Sequence, residues 1–421
     1  MTLFAVEGPA GSGKTCRLMS LLSETLAERP LNDGQKVLAL TFMHGARRRL
    51  NERLRTVDRL RGRFDCLTID SFAWKLLKRW RSLAGALTLR PPQDDDFDAQ
   101  CEGAGVLLER PEVCRWVSTS YPVVLVDEAQ DLKPQRLRII RAVEQATRLL
   151  VAADEFQCLD TALRPNPFVA WIHQVCRPQV LNEIRRTEVP CLLQAAGALR
   201  RGAVPVAERD FRIIAARGIA MAAAYLANAI AWRRGGNVAI ITPSLAGNFS
   251  RDVLDRVCHQ ACGAQGNGPY SIHWDRSDNE EVGRLLRGLE LAEGSSLDTT
   301  LTVLANLPRS MAVHGACTWA KYQARAAGKR TFCQAEIEAA VTRHVAMQRQ
   351  RFGIDQHPFT AMTVQQAKNR EFEGVVVLWP FTVGGDAEQK RRLLYNAITR
   401  AKRWCTVIVQ SDQLLAGAPF R

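Results

Sequence analysis

The chain has 421 residues, of which 47% are hydrophobic and 24% are charged, as in ordinary globular proteins. This length predicts two to four domains, and the composition excludes a disordered tail, a collagen-like fibre and a disulfide-stapled mini-protein. Lys and Arg number 57 against 43 Asp and Glu, which gives a formal charge of +14. Such an excess favours a polyanionic partner such as nucleic acid, and the alternative is a basic protein with scattered surface charge.

The sequence contains no apolar run near the roughly 18 residues that a membrane-spanning helix needs. Residues 1–8 lack the basic segment that begins a signal peptide, and the 12 cysteines are scattered as in a protein with reduced thiols. We therefore expect a soluble, cytoplasmic protein with no membrane partner. Cys258 and Cys262 form the one close cysteine pair, for which a core helix is the first interpretation and a metal site the alternative.

Short apolar runs alternate with helical patterns along the chain. In the first half, helices are predicted from Lys14 and through the arginines of 47–55, and strands at 3–6, 37–41, 67–69, 122–126 and 148–152. In the second half, strands are predicted at 211–215, 237–242, 359–364, 374–378 and 405–409. Continuous apolar strands are typical of parallel sheets buried on both faces, so the pattern predicts an α/β fold with helices flanking parallel sheets.

The strand signal disappears between about 279 and 350, which predicts a helical insertion there. Residues 90–96, with the sequence Arg-Pro-Pro-Gln-Asp-Asp-Asp, mark a loop in the first half. The predicted layout is a first lobe at 1–195 with a short insertion at about 75–118, and a second lobe formed by 196–278 and 351–421.

Residues 8–15 fit the phosphate-binding pattern G-x-x-x-x-G-K-[ST] between a predicted strand and a predicted helix. Backbone N–H groups of such a loop surround nucleotide phosphates, and the helix N-terminus adds positive potential. Lys14 would neutralise phosphate charge, and Thr15 would offer its hydroxyl to Mg²⁺. The predicted nucleotide-binding residues are Gly8, Pro9, Ala10, Gly11, Ser12, Gly13, Lys14 and Thr15.

Two acids after the apolar run at 122–126 predict the second part of the same site. Asp127 would hold Mg²⁺, and Glu128 would polarise the attacking water. A solvated acidic turn is the alternative. The P-loop upstream favours the catalytic interpretation.

Further motifs occur in a fixed order along the chain. They are V-L-A-L-T-F at 37–42, T-I-D-S-F-A at 68–73, D-E-A-Q-D at 127–131, A-D-E-F-Q at 153–157, L-N-E-I-R-R-T at 181–187, T-V-Q-Q-A-K-N-R-E-F at 363–372 and L-Y-N-A-I-T-R-A at 394–401. In this order they resemble the motifs of UvrD-like superfamily 1 helicases, and the likeness covers most of the chain. It implies two RecA-like P-loop NTPase lobes, with reduced insertions, that hydrolyse ATP between them with Mg²⁺.

The resemblance also implies roles for single residues. Gln157 would sense the γ-phosphate, Arg185 and Arg400 would carry positive charge to it, and Glu371 would reach the ribose. A DNA strand across both lobes would face Thr41, Phe42, Ser71, Phe72, Thr363 and Gln365. For Phe42 and Phe72 the alternative is that they are ordinary core aromatics.

Several positions differ from the family's pattern. Asp70 replaces a histidine, Cys158 replaces an aromatic that stacks on DNA, and Ile184 replaces a tyrosine that stacks on the base. No glutamine motif precedes the P-loop in this sequence, so the choice between ATP and other nucleoside triphosphates stays open. Asn369 replaces a glycine, and because Asn adopts left-handed backbone angles more readily than most residues, we expect the loop to be kept.

These features predict an ATP hydrolase that acts as a single-stranded DNA translocase or helicase, with 3′→5′ movement implied by the resemblance. Its DNA partner would be a single strand or a junction with duplex, and the short insertions favour translocation over strand separation. The alternative is a non-processive, DNA-dependent ATPase subunit that regulates a partner nuclease in DNA repair or anti-phage defence. An RNA helicase is less favoured, because the D-E-x-Q-D motif resembles the DNA-directed branch.

Overall fold

The computed structural model describes residues 3–42, 44–89, 96–232, 236–275, 278–352 and 357–421. Residues 90–95 of the predicted loop lie outside this part of the chain. The protein divides into two compact units, of which unit 1 comprises Met1–Ser271 with Thr363–Arg421, and unit 2 comprises Ile272–Met362.

Unit 1 begins with a parallel sheet of six strands. They are β1 (Leu3–Glu7), β2 (Val37–Thr41), β3 (Phe64–Thr68), β4 (Val123–Asp127), β5 (Arg148–Ala153) and β6 (Gln179–Val180), in the order β3-β2-β4-β5-β1-β6. The connecting helices are α1 (Lys14–Glu28), α2 (His44–Arg55), α3 (Ile69–Arg79), α4 (Arg81–Ala86), α5 (Phe97–Leu108), α6 (Pro111–Ser120), α7 (Pro134–Glu144) and α8 (Pro167–Val175). We call these elements the first lobe.

Both faces of this sheet are buried, which explains why its strands lack polar alternation. On β2, Leu38 and Leu40 pack into a core shared with α3, α5 and α7, whereas Val37 and Ala39 pack into a second core with α1 and α2. Burial of each large aliphatic side chain contributes about 1.5–3 kcal/mol. Since the strands are parallel, their carboxyl ends meet at one edge, where the loops after β1, β4 and β5 begin.

The chain continues through α9 (Pro190–Arg200), β7 (Phe211–Ala215), α10 (Ile219–Trp232), β8 (Val238–Thr242) and α11 (Phe249–His259). Unit 2 then holds β9 (His273–Trp274), α12 (Asp278–Leu285), β10 (Ser295–Ser296), α13 (Leu297–Asn306), α14 (Met311–Ala326), β11 (Thr331–Phe332), α15 (Gln334–Phe352) and most of β12 (Phe359–Thr363). The chain ends with α16 (Val364–Ala367), β13 (Phe372–Trp379), α17 (Ala387–Ile398) and β14 (Ala401–Val409).

Within unit 1, a second parallel sheet contains four strands in the order β7-β14-β13-β8. Together with α9, α10, α11, α16 and α17 it forms what we call the second lobe. The protein is thus an α/β structure with two RecA-like lobes, as the sequence predicts. Helix α9 packs against β7, β14 and α17, so the predicted lobe boundary at 195 falls inside a helix that packs on the second sheet. The domain boundaries remain predictions.

Unit 2 is mainly helical and has its own apolar core, to which Leu304, Ala316, Ile337 and Val341 contribute. It also contains a short antiparallel pair, β10 with β11, in a stretch for which no strand was expected. Two-residue strands are too short to produce a readable periodicity. A second short pair is parallel and joins β9 to β12.

The predicted strand at 67–69 is wrong at its end. Ile69 is the first residue of α3, because the side chain of Thr68 accepts a hydrogen bond from the backbone N–H of Ser71 and caps the helix. The cysteine pair is split, with Cys258 on α11 and Cys262 beyond its end. The thiol of Cys262 is buried 3.4 Å from the carbonyl oxygen of Gln260.

Candidate nucleotide site

The P-loop follows β1 and has a backbone that requires glycine. Gly11 and Gly13 have φ angles of 81° and 86°, which side chains rarely tolerate. A Cβ on Gly8 would lie 2.7 Å from the carbonyl oxygen of Leu181, in the segment after β6. The loop therefore curls tightly and leads directly into α1, so its N–H groups and the helix N-terminus share one cradle.

Two polar side chains of the loop suit an anionic ligand. The Lys14 ammonium donates to the carbonyl oxygens of Gly8 at 2.8 Å and Pro9 at 3.0 Å, and it lies 3.9 Å from Asp154. The buried hydroxyl of Ser12 has no hydrogen-bond partner among the described residues. A glycine cradle with a buried cation and an unsatisfied hydroxyl fits a nucleotide phosphate.

The two predicted metal ligands lie side by side. The hydroxyl of Thr15 donates to Oδ2 of Asp127 at 2.9 Å, while the N–H of Glu128 donates to Oδ1 at 3.0 Å. Burial, with the neighbouring charge of Glu128, raises the pKa of Asp127 to about 6. A divalent cation would offset this penalty, because it favours the ionised carboxylate. The oxygen pair therefore fits Mg²⁺.

Glu128 occupies an unusual backbone conformation. Its φ angle of 59° places it in the left-handed region, which costs a residue with a side chain about 1 kcal/mol or more. Gln130 donates to the Glu128 carboxylate at 2.7 Å and accepts from the N–H of Asp154 at 2.9 Å. The predicted catalytic acid is therefore held by a residue of its own motif, which also joins that motif to the next one.

Asp154 is a fully buried junction of the site. Its carboxylate accepts hydrogen bonds from the Gln157 amide at 2.9 Å and from Arg200 of α9 at 2.6 Å. The Tyr395 hydroxyl lies 3.4 Å away and accepts the N–H of Ala10, in the P-loop, at 2.8 Å. Neither Arg200 nor Tyr395 was identified from the sequence. Tyr395 lies in a recognised motif, but no sequence signal marks Arg200.

Arg400 of the second lobe contacts Gln157, the predicted γ-phosphate sensor of the first lobe. Its guanidinium is 1% exposed and donates to Oε1 of Gln157 at 3.2 Å and to the carbonyl oxygen of Asn396 at 3.0 Å. Burial, with the nearby charge of Arg186, lowers the pKa of Arg400 to about 9. Arg400 is therefore desolvated and already oriented to bind an anion in this cleft.

Further hydrogen bonds and ion pairs connect the two lobes. Lys368 donates to both carboxylate oxygens of Asp131 at 2.9 and 3.0 Å, and both side chains are largely buried. Arg392 of α17 donates to the carbonyl oxygens of Glu155 and Cys158, the latter at 3.3 Å. Removing one partner of a buried ion pair typically costs about 3–5 kcal/mol. These contacts hold the lobes in one defined arrangement.

Arg185 lies beside the P-loop but faces solvent. Its N–H donates to the carbonyl oxygen of Gly11 at 2.7 Å, and its side chain is 73% exposed and 3.5 Å from Glu183. Its Cδ lies 3.8 Å from the position that a Cβ on Gly13 would take. The residue is therefore close to the phosphate loop, and its role at the γ-phosphate remains a prediction.

Glu371 is held by protein cations. Its carboxylate lies 3.0 Å from Arg186, 3.6 Å from Lys402 and 3.9 Å from Arg49. Burial opposes ionisation, but these charges, with Arg186 the strongest, lower the pKa of Glu371 below its ordinary value. Its carboxylate is therefore neutralised within the protein, and its contact with the ribose stays a prediction.

A small, mainly apolar pocket adjoins the P-loop. Ile184, in the position of the family's stacking tyrosine, lines it together with Ala10, Leu192 and Ala196. The lining also includes Arg186, Thr187 and Thr399, whose side chains are already hydrogen-bonded within the protein, and it contains no aromatic ring for stacking.

The residues predicted to face DNA divide into two groups. Thr41 is fully buried, and Phe72 is 2% exposed and packs in the core of the first lobe. Phe42 is half-buried, with the Arg136 guanidinium 5.7 Å from its ring centre. For Phe72 and Thr41 the prediction is therefore wrong in this conformation, because α3 and β2 direct these side chains into the interior.

The remaining predicted DNA residues reach the surface. Ser71 and Thr363 are half-buried, and Gln365 is exposed. The side chain of Thr363 accepts the N–H of Gln366 and caps α16. These three residues and Phe42 stay as proposed contacts.

The departures from the family's pattern have local explanations. Asp70 pairs with the buried Arg136 of α7 at 2.7 Å, so this acid is tied into the lobe. Cys158 is 1% exposed and offers no stacking surface. Asn369 has a φ angle of 62°, which confirms that asparagine keeps the left-handed turn expected of the family's glycine.

The geometry defines the class of protein as a P-loop ATPase with two RecA-like lobes. Comparison with protein families agrees, since an AAA domain model matches residues 1–162 and the UvrD-like helicase C-terminal domain matches residues 358–408. No curated protein matches the chain. Together, the two matches support a UvrD-like superfamily 1 helicase.

Members of this family are ATP-dependent helicases and ATPases that bind DNA and typically use ATP with Mg²⁺. The protein is accordingly an ATP-hydrolysing enzyme of the helicase type. Among the described helices, none is long and apolar enough to cross a membrane.

Proposed function

We propose that the protein is an ATP-driven translocase that moves 3′→5′ on single-stranded DNA. The contact between Arg400 and Gln157 carries this proposal, because it joins a cation of the second lobe to a sensor of the first. Hydrolysis between two lobes of a motor requires such a pair, which responds to the presence of the terminal phosphate.

In the proposed site, the first lobe binds the nucleotide and prepares the water. The P-loop amides, Lys14 and Ser12 hold the phosphates, while Thr15 and Asp127 hold Mg²⁺. A metal ion held by these two residues would supply positive charge to the phosphates. Glu128 accepts a proton from the attacking water as the bond to the γ-phosphorus forms, and ADP leaves with the cleaved bond's electrons.

The second lobe supplies positive charge where it develops in the transition state. Arg400 is desolvated and oriented by Asn396 and Gln157, so it needs little reorganisation. Arg185 would turn from solvent to the γ-phosphate. After hydrolysis the differential contact is lost, the lobes separate, and Lys368–Asp131 breaks and reforms once in each cycle.

DNA would lie across the carboxyl edges of both sheets. Phe42 offers a ring for base stacking, and Ser71, Thr363 and Gln365 offer hydrogen bonds to the backbone. Thr41 and Phe72 support this surface from beneath. The 3′→5′ direction rests on the family resemblance.

The first test is steady-state ATP hydrolysis by the full chain with and without single-stranded DNA. We expect at least tenfold stimulation, which corresponds to about 1.4 kcal/mol of coupling. Lys14→Ala should abolish hydrolysis, and Lys36→Ala is the matched control, since Lys36 pairs with Asp65 away from the loop. DNA-independent hydrolysis would reject the motor, and activity retained by Lys14→Ala would reject the site.

The first-lobe insertion favours translocation without strong strand separation. The described part of 75–118 buries Cys101, Ala104 and Leu107 in the core of the first lobe, so it is part of that lobe. This also supports the second candidate, a DNA-dependent ATPase subunit that regulates a nuclease in DNA repair or anti-phage defence. Unwinding of a tailed duplex by the isolated chain would reject the second candidate.

A further inference from the structure

Arg49 of α2 has a buried, unsatisfied donor in the nucleotide cleft. Its Nη2 has no hydrogen-bond partner among the described residues, and its Nη1 lies 3.9 Å from Glu371. The sequence motifs assign this residue no role. The side chain as a whole is 36% exposed, but its Nη2 is buried, and a buried donor without a partner is unfavourable unless a ligand supplies an acceptor.

The charges around Arg49 identify what that ligand is. Arg186 holds the same Glu371 at 3.0 Å, and Lys402 lies 3.6 Å from it, so three cations share one carboxylate. The pKa of Arg49 is lowered below its ordinary value, mainly by burial. The carboxylates of Glu371 and Glu128 oppose this shift, and the charge of Arg186 adds to it. Arg186 adjoins the P-loop, since a Cβ on Gly11 would lie 2.6 Å from its own Cβ. Through Glu371, Arg49 therefore belongs to a cluster with surplus positive charge beside the phosphate loop.

We propose that Arg49 and Arg186 form an anion subsite beside the P-loop that takes the terminal phosphate of the bound nucleotide. The inference rests on the proposed function. A tetrahedral phosphate accepts several N–H donors, and arginine offers them in a planar fork. Glu371 takes the place of the phosphate when none is bound, and the phosphate displaces it.

The test compares ADP with ADP plus beryllium fluoride, which stands in for the terminal phosphate. In Arg49→Ala, displacement of a fluorescent nucleotide should give an ADP affinity within twofold of the parent protein. The additional affinity from beryllium fluoride should fall at least tenfold, and Arg49→Lys should recover part of it. Arg48→Ala is the control, because Arg48 is the preceding residue of α2 and pairs with Glu52 at 3.0 Å.

Equal weakening of both ligands, or no change in either, would overturn the subsite. A thermal melt of each variant separates loss of folding from loss of binding. If the parent protein binds no nucleotide, or Lys14→Ala binds as well as the parent, the proposed function itself fails.

A separate observation concerns the exposed face of α3. Trp74 is 37% exposed, and the Lys78 ammonium lies 4.6 Å above its ring. Ser71, Trp74 and Lys78 are spaced i, i+3 and i+7, so they share one helix face. Residues 71–89 contain Lys75, Lys78, Arg79 and Arg81 but no Asp or Glu.

We infer that Trp74 and Lys78 extend the binding path of single-stranded DNA along α3. Stacking on Trp74 would replace the platform that Cys158 cannot provide, and Lys78 would neutralise a phosphate. The inference rests on DNA binding but is independent of Arg49.

The test is the affinity of the full chain for a single-stranded oligonucleotide at several salt concentrations. Trp74→Ala should weaken binding roughly tenfold. Lys78→Ala should reduce the slope of log affinity against log salt by about 1. Trp232→Ala is the matched control, since Trp232 is a 58% exposed tryptophan on α10. The inference fails if Trp74→Ala and Trp232→Ala bind equally.

Discussion

The nucleotide site and the proposed DNA surface differ in how closely they follow the sequence motifs. In the nucleotide site, Thr15 contacts Asp127, and Gln157 contacts Arg400, as the motif order implies. On the DNA surface, Phe72 and Thr41 are buried. Phosphate binding depends on backbone curvature and short polar groups that a motif specifies. Base stacking depends on which way a side chain faces, and that is decided by packing.

The largest effect is expected from Arg400→Ala. Loss of a desolvated arginine at the γ-phosphate should lower kcat by about 10³-fold or more. Nucleotide binding should persist, because the first lobe holds the phosphates, and equilibrium binding alongside single-turnover hydrolysis would show this. Lost nucleotide binding in a variant that still folds would contradict the cross-lobe role.

Glu128→Gln should have the next largest effect. Removal of the base that accepts the water proton should lower hydrolysis by about 10²–10⁴-fold while ATP remains bound. Glu155→Gln provides the control, as Glu155 is an exposed acid in the neighbouring motif. Similar losses in the two variants would mean that charge near the cleft matters and that Glu128 is not the base.

Substitutions of Phe42 and Phe72 distinguish a surface residue from a core residue. Phe72→Ala should lower the free energy of unfolding by about 3–5 kcal/mol, since it empties a core position. Phe42→Ala should leave unfolding nearly unchanged but weaken single-stranded DNA binding by about 1–3 kcal/mol. Urea unfolding and oligonucleotide titration measure the two quantities, and the assignment is reversed if Phe42→Ala is the destabilised variant.

The smallest effect is expected on nucleotide choice. The pocket at Ile184 has no aromatic ring for stacking, and its polar lining residues are hydrogen-bonded within the protein, among them Arg186 to Glu371. We therefore expect no strong polar contact to the base or the ribose. ATP, dATP and GTP should therefore have kcat/KM values within about fivefold of one another, because one weak contact is worth about 1 kcal/mol or less. A hundredfold preference for ATP would instead show that a residue makes a specific contact to the base or the sugar.

Much of the fold could be predicted because buried parallel strands leave long apolar runs. β2 and β7 begin and end where the sequence analysis placed them. The sequence places Ile69 in a strand, because its side chain is β-branched and apolar. In the structure α3 begins at this residue, because the side chain of Thr68 accepts a hydrogen bond from the N–H of Ser71. β10 and β11 depend on pairing between distant residues, which leaves no local pattern.

The candidate site divides in the same way. Residues of the P-loop and of the acidic motif carry their chemistry within a few positions of each other. Arg200 of α9 reaches Asp154, and Arg49 of α2 reaches Glu371, only through the packing of elements that lie far apart in sequence. An arginine-rich helix offers many cations, and only the folded structure shows which one points into the cleft.

Lys14 gives the site a final property. Its ammonium already donates two hydrogen bonds to the loop's own carbonyl oxygens. When phosphate binds, Lys14 therefore exchanges carbonyl acceptors for phosphate oxygens. The net free energy of binding from this lysine is then much smaller than the strength of its new hydrogen bonds. The reverse exchange is available to the products, because the loop offers the lysine its former partners as the phosphate departs. A catalyst arranged in this way favours turnover over tight retention.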